Sequence, residues 1–222
     1  METEITIPER FERLPVFPLP NTVLFPGTVL PLHVFEERYR QMIADILDAD
    51  GWLAIVMLRD EGDPLESRPA IHDVACAGKL IHTESLDDGN YNVLVQGVDR
   101  VRLTNELDVD TPYRCFTAER LTPAAAQDLE SASIELGRLQ SCVLSLSALV
   151  EDKDEQLLQV LRATADPIKL ADILGAAVVT DTSLQQRLLS TADVRSRLAM
   201  LVDGLAEVMV KVNDPPDEAG LN

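Results

Sequence analysis

The apolar residues of this chain change their spacing once, near Leu121, and that change restricts the fold to a strand-rich stretch followed by a helix-rich one. From Phe11 to about Leu121 the sequence is dense in Pro, Gly and β-branched residues. Its apolar positions come in short runs bounded by turn signals, as strands require. Ala75–His82 and Tyr91–Val98 read as a hairpin across Asp87-Asp88-Gly89-Asn90, whose residues tolerate the left-handed backbone of a tight reversal. Trp52–Leu58 suits a buried strand. One helix interrupts: Tyr39, Met42, Ile43, Ile46 and Leu47 share a helical face, and Gly51 supplies a stop. A loop from Arg59 to Pro69, with Gly62, Pro64 and several charges, is expected to be mobile and to lead back into strands at Ile71.

Beyond Leu121, Thr122 can cap a helix and Pro123 fits its first turn. Leu129, Ala132, Leu136, Leu139, Val143, Leu146 and Val150 then recur by threes and fours. A shorter run holds Leu157, Leu158 and Leu161. Asp166-Pro167 opens another helix carrying Leu170, Ile173 and Leu174. The spacing predicts a last helix from near Ser190, with Asp193 as capping-box partner and Val194, Leu198, Leu201, Leu205, Val208 and Val212 on one seam. Two long helices with matched seams, separated by shorter ones, fit a compact antiparallel bundle. The expected class is α+β, with a mostly-β subdomain at 1–121, a helical bundle at 122–212 and a disordered acidic tail at 213–222.

With 46% hydrophobic and 26% charged residues, the chain can bury a core and stay soluble. Its formal net charge of -19, from 38 acidic and 19 basic residues, would repel polyanions. Nucleic-acid binding draws its affinity from Lys and Arg neutralising phosphates, and no concentrated basic patch occurs. The best cluster, Arg100, Arg102, Arg114 and Arg120, is interleaved with acids. Anionic membrane surfaces are disfavoured for the same reason. No apolar segment approaches the roughly 20 residues that span a bilayer. The start, METEITIPER, places acids where a secretory signal needs a basic stretch, so a cytoplasmic location is expected. Cys76, Cys115 and Cys142, odd in number and scattered, argue for reduced thiols rather than a disulfide framework.

Several motifs carry a resemblance. Leu14-Pro15-Val16-Phe17-Pro18-Leu19, then Val23-Leu24-Phe25-Pro26-Gly27, then Pro31-Leu32-His33-Val34-Phe35-Glu36-Glu37-Arg38-Tyr39 resemble the opening of the amino-terminal domain of the Lon protease family. Asp88-Gly89-Asn90-Tyr91 through Gln96-Gly97-Val98-Asp99-Arg100 looks like that family's hairpin strand. Asp166-Pro167 with Lys169-Leu170-Ala171-Asp172, and Gln185 to Ser190 with Asp193 to Leu198, resemble its helical subdomain. The likeness runs from about residue 11 to 210 in the family's order. It implies a PUA-like pseudo-β-barrel followed by a helical bundle. It also marks Pro15, Pro18, Leu19, Pro26, Gly27, Pro31, Arg38, Gly89, Gly97 and Arg100 as scaffold positions. Pro15, Pro18, Pro20, Pro26 and Pro31 fix φ and are expected at edges or bends, and Gly27 permits a turn. Val74-Ala75-Cys76-Ala77-Gly78-Lys79 departs from the family, which usually has Gly-Thr directly after a Val, so the strand is expected to bend differently there.

Chemistry is sparse. Full Lon proteases carry an ATPase and a Ser-Lys peptidase after this region, and a free-standing version without either is expected. No G-x-x-x-x-G-K-[ST] or G-x-S-x-G motif occurs, and Ser67 beside Arg68 falls in the loop. His72, Cys76 and His82, with His33 elsewhere, would spread along a strand too far for one tetrahedral ion. No catalytic residue, metal or cofactor is therefore expected. The resemblance implies a non-catalytic module that binds unfolded or degron-bearing proteins, with a protease or chaperone acting in trans. Candidate contacts are Leu24, Phe25, Pro26 and Trp52, although a lone Trp or Phe is usually buried. RNA binding, by analogy with other PUA-like folds, and a small-ligand pocket between the two halves are the alternatives.

Overall fold

The computed structural model describes residues 5–59, 68–121, 132–149, 164 and 166–213. Most of the expected loop at Arg59–Pro69, the run at Leu157–Leu161 and nearly all of the tail lie outside them. The chain divides into two compact units: Met1–Thr122 with Asp181–Ser190, and Pro123–Thr180 with Thr191–Asn222.

The first unit holds β1 (Arg10–Leu19), β2 (Val29–Val34), α1 (Glu37–Leu47), β3 (Trp52–Met57), β4 (Val74–Ser85), β5 (Tyr91–Glu106) and β6 (Cys115–Arg120). The strands follow the order β2-β5-β4-β3-β1-β6, and β6 pairs again with β5. Five strands therefore close into a ring, with β2 appended. The length of β5 allows this, because its first residues pair with β2 while Val101–Glu106 pair with β6. The ring's interior is one apolar cluster fed by every ring strand: Phe11, Leu14 and Val16 from β1, Ala54 and Val56 from β3, Ala75 and Ala77 from β4, Val101 and Leu103 from β5, Phe116 and Ala118 from β6. Alternating small alanines with larger side chains suits the interior of so narrow a ring.

Two strands depart from simple alternation. In β1, Phe11 faces Ala118 and Leu14 faces Phe116, so three steps on β1 match two on β6. This bulge keeps Phe11 and Leu14 both inward and turns Arg13 outward to solvent. In β4 the register shifts between Ala77 and Gly78, within the segment expected to bend.

Pro15 and Pro18 correct the expectation that prolines mark edges, because β1 lies between β3 and β6. The Val16 N–H donates to Arg114 O at 2.9 Å, so the nitrogen of Pro18, two residues on, faces the same flank. There the pairing with β6 has already ended, at Pro15 opposite Cys115, and no ladder bond is lost. Pro31 lies in β2, which pairs with β5 alone.

The Asp87–Asn90 reversal closes as the sequence requires: Gly89 has φ +79°, and the Leu86 N–H donates to Asn90 O. A second turn, Phe25 to Thr28, is strapped to β5. The Gly27 N–H donates to Gly97 O and the Gly97 N–H to Thr28 O, each at 2.8 Å.

One helix of this unit arrives late in the chain. α2 (Ser133–Leu149) and α3 (Pro167–Ala177) come first, then α4 (Thr182–Ser190), which packs on β4. Gln186 Nε2 donates to Val74 O at 3.0 Å, Arg100 Nε donates to Leu189 O at 2.9 Å, and Leu188 and Leu189 are buried. The division at residue 121 is therefore incomplete, since 181–190 belongs with the strands.

In the second unit, α5 (Val194–Asn213) packs against both α2 and α3. Leu139 and Val143 of α2, Leu170 and Leu174 of α3, and Leu198, Leu201 and Leu205 of α5 are buried, as their three-and-four spacing predicts. Asp166 caps α3 by accepting the Ile168 N–H at 2.9 Å. The predicted start of the last helix at Ser190 needs correction. Ser190 ends α4, and Asp193 itself precedes α5, accepting the Ser196 N–H at 2.8 Å.

Candidate functional site

On the strand unit, β1, the end of α1 and the start of β3 surround a cleft of about 410 Å3. Pro8, Phe11, Pro15, Ile46, Ala49 and Trp52 give it apolar walls, and Arg13, Asp45, Asp50 and Tyr113 supply polar groups. Gly51, at φ +67°, turns the chain out of α1 and into β3, which sets Trp52 against the cleft. Trp52 is half-buried, edge-on to Phe11 with ring centroids 5.5 Å apart. Lys79 Nζ lies 4.7 Å from the indole centroid and donates to the Asp50 carbonyl, a cation–π contact that fixes the ring.

The cleft's charges are unevenly engaged. Both carboxylate oxygens of Asp45 are occupied, one by Gln41 Nε2 and the other by the Tyr113 hydroxyl, each at 2.7 Å. Burial, and then that hydrogen bond to Asp45, push the Tyr113 pKa well above its ordinary value. Arg13 makes no ion pair among the described residues, although Arg10, Arg38, Arg114 and Arg120 all do. A hydrogen bond to the Cys115 side chain, with a smaller contribution from Tyr113, raises the Arg13 pKa above its ordinary value, so it stays cationic. The lining contains no Ser, Cys or His, and its one hydroxyl, that of Tyr113, donates to Asp45 and holds its proton tightly. This arrangement can hold an apolar group beside a charge.

A family model described as the ATP-dependent protease La (LON) substrate-binding domain matches residues 13–207. The chain belongs to this family. Lon protease 2 of Myxococcus xanthus is 27% identical over 195 residues, which cover 86% of this chain and 23% of that protein. Lon protease of Trichlorobacter lovleyi is 26% identical over 206 residues, covering 92% and 25%. The chain thus spans about a quarter of the length of these relatives. The N-terminal domain of Mycobacterium avium complex Lon protease matches with a TM-score of 0.68 at 21% identity, over 88% of this chain and 99% of that one. The Lon N-terminal domain protein of Xanthomonas campestris matches at 0.60 and 18% identity, over 87% and 98%. The fold is that of a Lon N-terminal domain.

Within this Lon domain the four candidate contacts separate. Trp52 lines the cleft, and the other three do not. Leu24 and Phe25 are 3% and 0% exposed, because the Phe25–Thr28 turn is bound down onto Gly97, so neither offers a surface. Pro26 is half-buried in the same turn. Among the motif positions, Gly97 admits the Phe25 backbone, Gly27 and Gly89 adopt positive φ, and Arg100 ties β5 to α4. Arg38 pairs with Glu36 at 2.8 Å and stacks on Tyr39. The basic cluster is committed internally. Arg100 is buried, Arg102 pairs with Asp73, Arg114 with Glu106, and Arg120 with Asp99 and Glu9.

Sequence reading missed Phe11, Arg13, Asp45 and Tyr113. One signal was available: Phe11 and Leu14 are three apart and Leu14 and Val16 two apart, a broken alternation that marks a bulge. Among the described residues no group of three or more His, Cys, Asp or Glu side chains converges as metal ligands, and no helix is long and apolar enough to cross a membrane.

Proposed function

We propose that this Lon substrate-binding domain recognises exposed apolar segments of unfolded or degron-bearing proteins without chemistry of its own, and that the Trp52 cleft receives them. The cleft's make-up carries the reading: aromatic and proline walls, and a ring held in place by Lys79. Folded proteins keep their apolar side chains inside, so such a surface discriminates by accessibility. Burying one Leu or Phe contributes about 1.5–3 kcal/mol. Association costs at least about 4 kcal/mol, so a single side chain binds weakly and several contacts along a segment must add. The net charge of -19 keeps the module soluble and turns away polyanions, and the committed arginines favour a protein client over RNA. In this reading the domain acts in the cytoplasm, without a cofactor, and passes clients to a protease or chaperone in trans.

The test is calorimetric titration of the full chain with one protein in its unfolded and folded forms. Binding of the unfolded form alone is expected, weakened roughly ten-fold by Trp52→Ala. Equal, negligible affinities for both forms would sink the proposal.

A further inference from the structure

We infer that Arg13 is an ionic anchor that makes the cleft prefer a client segment in which an acidic side chain neighbours the apolar one. This rests on the cleft being the seat of client segments. The β1 bulge turns Arg13 outward at the cleft, and in a chain with 38 acids it has no acidic partner among the described residues. A carboxylate in the same cleft, Asp45, is held away by Gln41 and Tyr113. Its neighbours Cys115 and Tyr113 engage the guanidinium without a carboxylate to neutralise it, so its charge and remaining N–H groups are left for a client carboxylate. Asp50, exposed beside Trp52, repels an acid placed there, so the client's carboxylate belongs on the Arg13 side. One guanidinium suits an internal Asp or Glu, whereas chain ends are captured by nests of backbone N–H groups.

The experiment uses the full chain and amidated peptides with one apolar residue followed by Glu, Gln or Lys, plus a Gln peptide with a free C-terminal carboxylate. Affinities are measured at low salt and at 1 M. The Glu peptide is expected to bind roughly two- to five-fold tighter than the Gln peptide, as exposed ion pairs allow. The gap closes in 1 M salt, where charges screen within about 3 Å. Arg13→Gln removes the preference and Arg13→Glu transfers it to the Lys peptide. Thermal unfolding of both variants stays near the parent's, because Arg13 is exposed. Equal binding of the Glu and Gln peptides, a preference that survives Arg13→Gln, or a gain confined to the free C-terminus overturns the inference while leaving the apolar reading intact. Failure of every peptide to bind overturns both.

Discussion

Replacing Gly97 with Ala tests why the Phe25–Thr28 turn sits where it does. The added methyl would lie 2.2 Å from the Phe25 carbonyl oxygen, 2.9 Å from its carbon and 3.1 Å from Cys76 Sγ. The obstructing atoms are mainly backbone, so no rotamer change relieves the clash. The turn must lift from β5, which sacrifices both 2.8 Å hydrogen bonds between Gly97 and the turn. Each is worth about 1 kcal/mol net. Lifting also loosens Phe25, now fully buried, whose complete exposure would cost about 1.5–3 kcal/mol. With partial relaxation the expected loss is about 3 kcal/mol, or roughly 6–12 °C in Tm for a chain of this size. Trp52 is the sole tryptophan and lies in β3, so its fluorescence during thermal or urea unfolding reports on the strand unit. Gly27→Ala is the control: nothing lies within 4 Å of its added carbon, and only the φ of +78° resists, at about 1–2 kcal/mol. A Gly97→Ala protein within about 0.5 kcal/mol of the parent, inside the usual span of neutral surface changes, would refute this account.

Two further outcomes are expected. In the helical unit, Asp172→Ala should cost about 3–5 kcal/mol, because it removes the buried carboxylate that balances the Arg197 charge, with Nη1 2.7 Å from it and both side chains buried. Asp172→Leu with Arg197→Met should recover most of that loss in denaturant titrations, and a double variant as unstable as the sum of its parts would disprove it. In the strand unit, Tyr113 holds its proton more tightly folded than unfolded. The unfolded chain ionises first, near pH 10, so this contribution is complete below that pH and falls as pH rises beyond it. Tyr113→Phe should flatten the alkaline limb of the urea midpoint plotted against pH, and an unchanged limb would contradict the assignment.

What was legible in the sequence was local. The Asp87–Asn90 hairpin, the α1 face, the buried seams of α2, α3 and α5 and the Asp166 cap each depend on residues a few positions apart. What was hidden depends on partners far along the chain. Nothing near Pro18 announces that β6 has already ended beside it, and nothing near Gln186 announces Val74. Residues 185–190 read in sequence only as part of a helical subdomain, although α4 packs on a strand. The cleft shows the same limit. Trp52 could be singled out as a lone aromatic, but Arg13 acquires significance only through a bulge and through acids that other residues have already claimed.

The late arrival of α4 has a consequence for how the protein is made. A ribosome that has released residues 1–121 has delivered every strand of the ring but not the helix that caps the Val74 carbonyl and receives Arg100. A hydrogen bond between positions 112 residues apart cannot form until about 60 more residues have emerged, at roughly 5–20 per second. The nascent strand half must wait several seconds with part of its surface bare, and cleavage after Leu121 would leave that wait permanent.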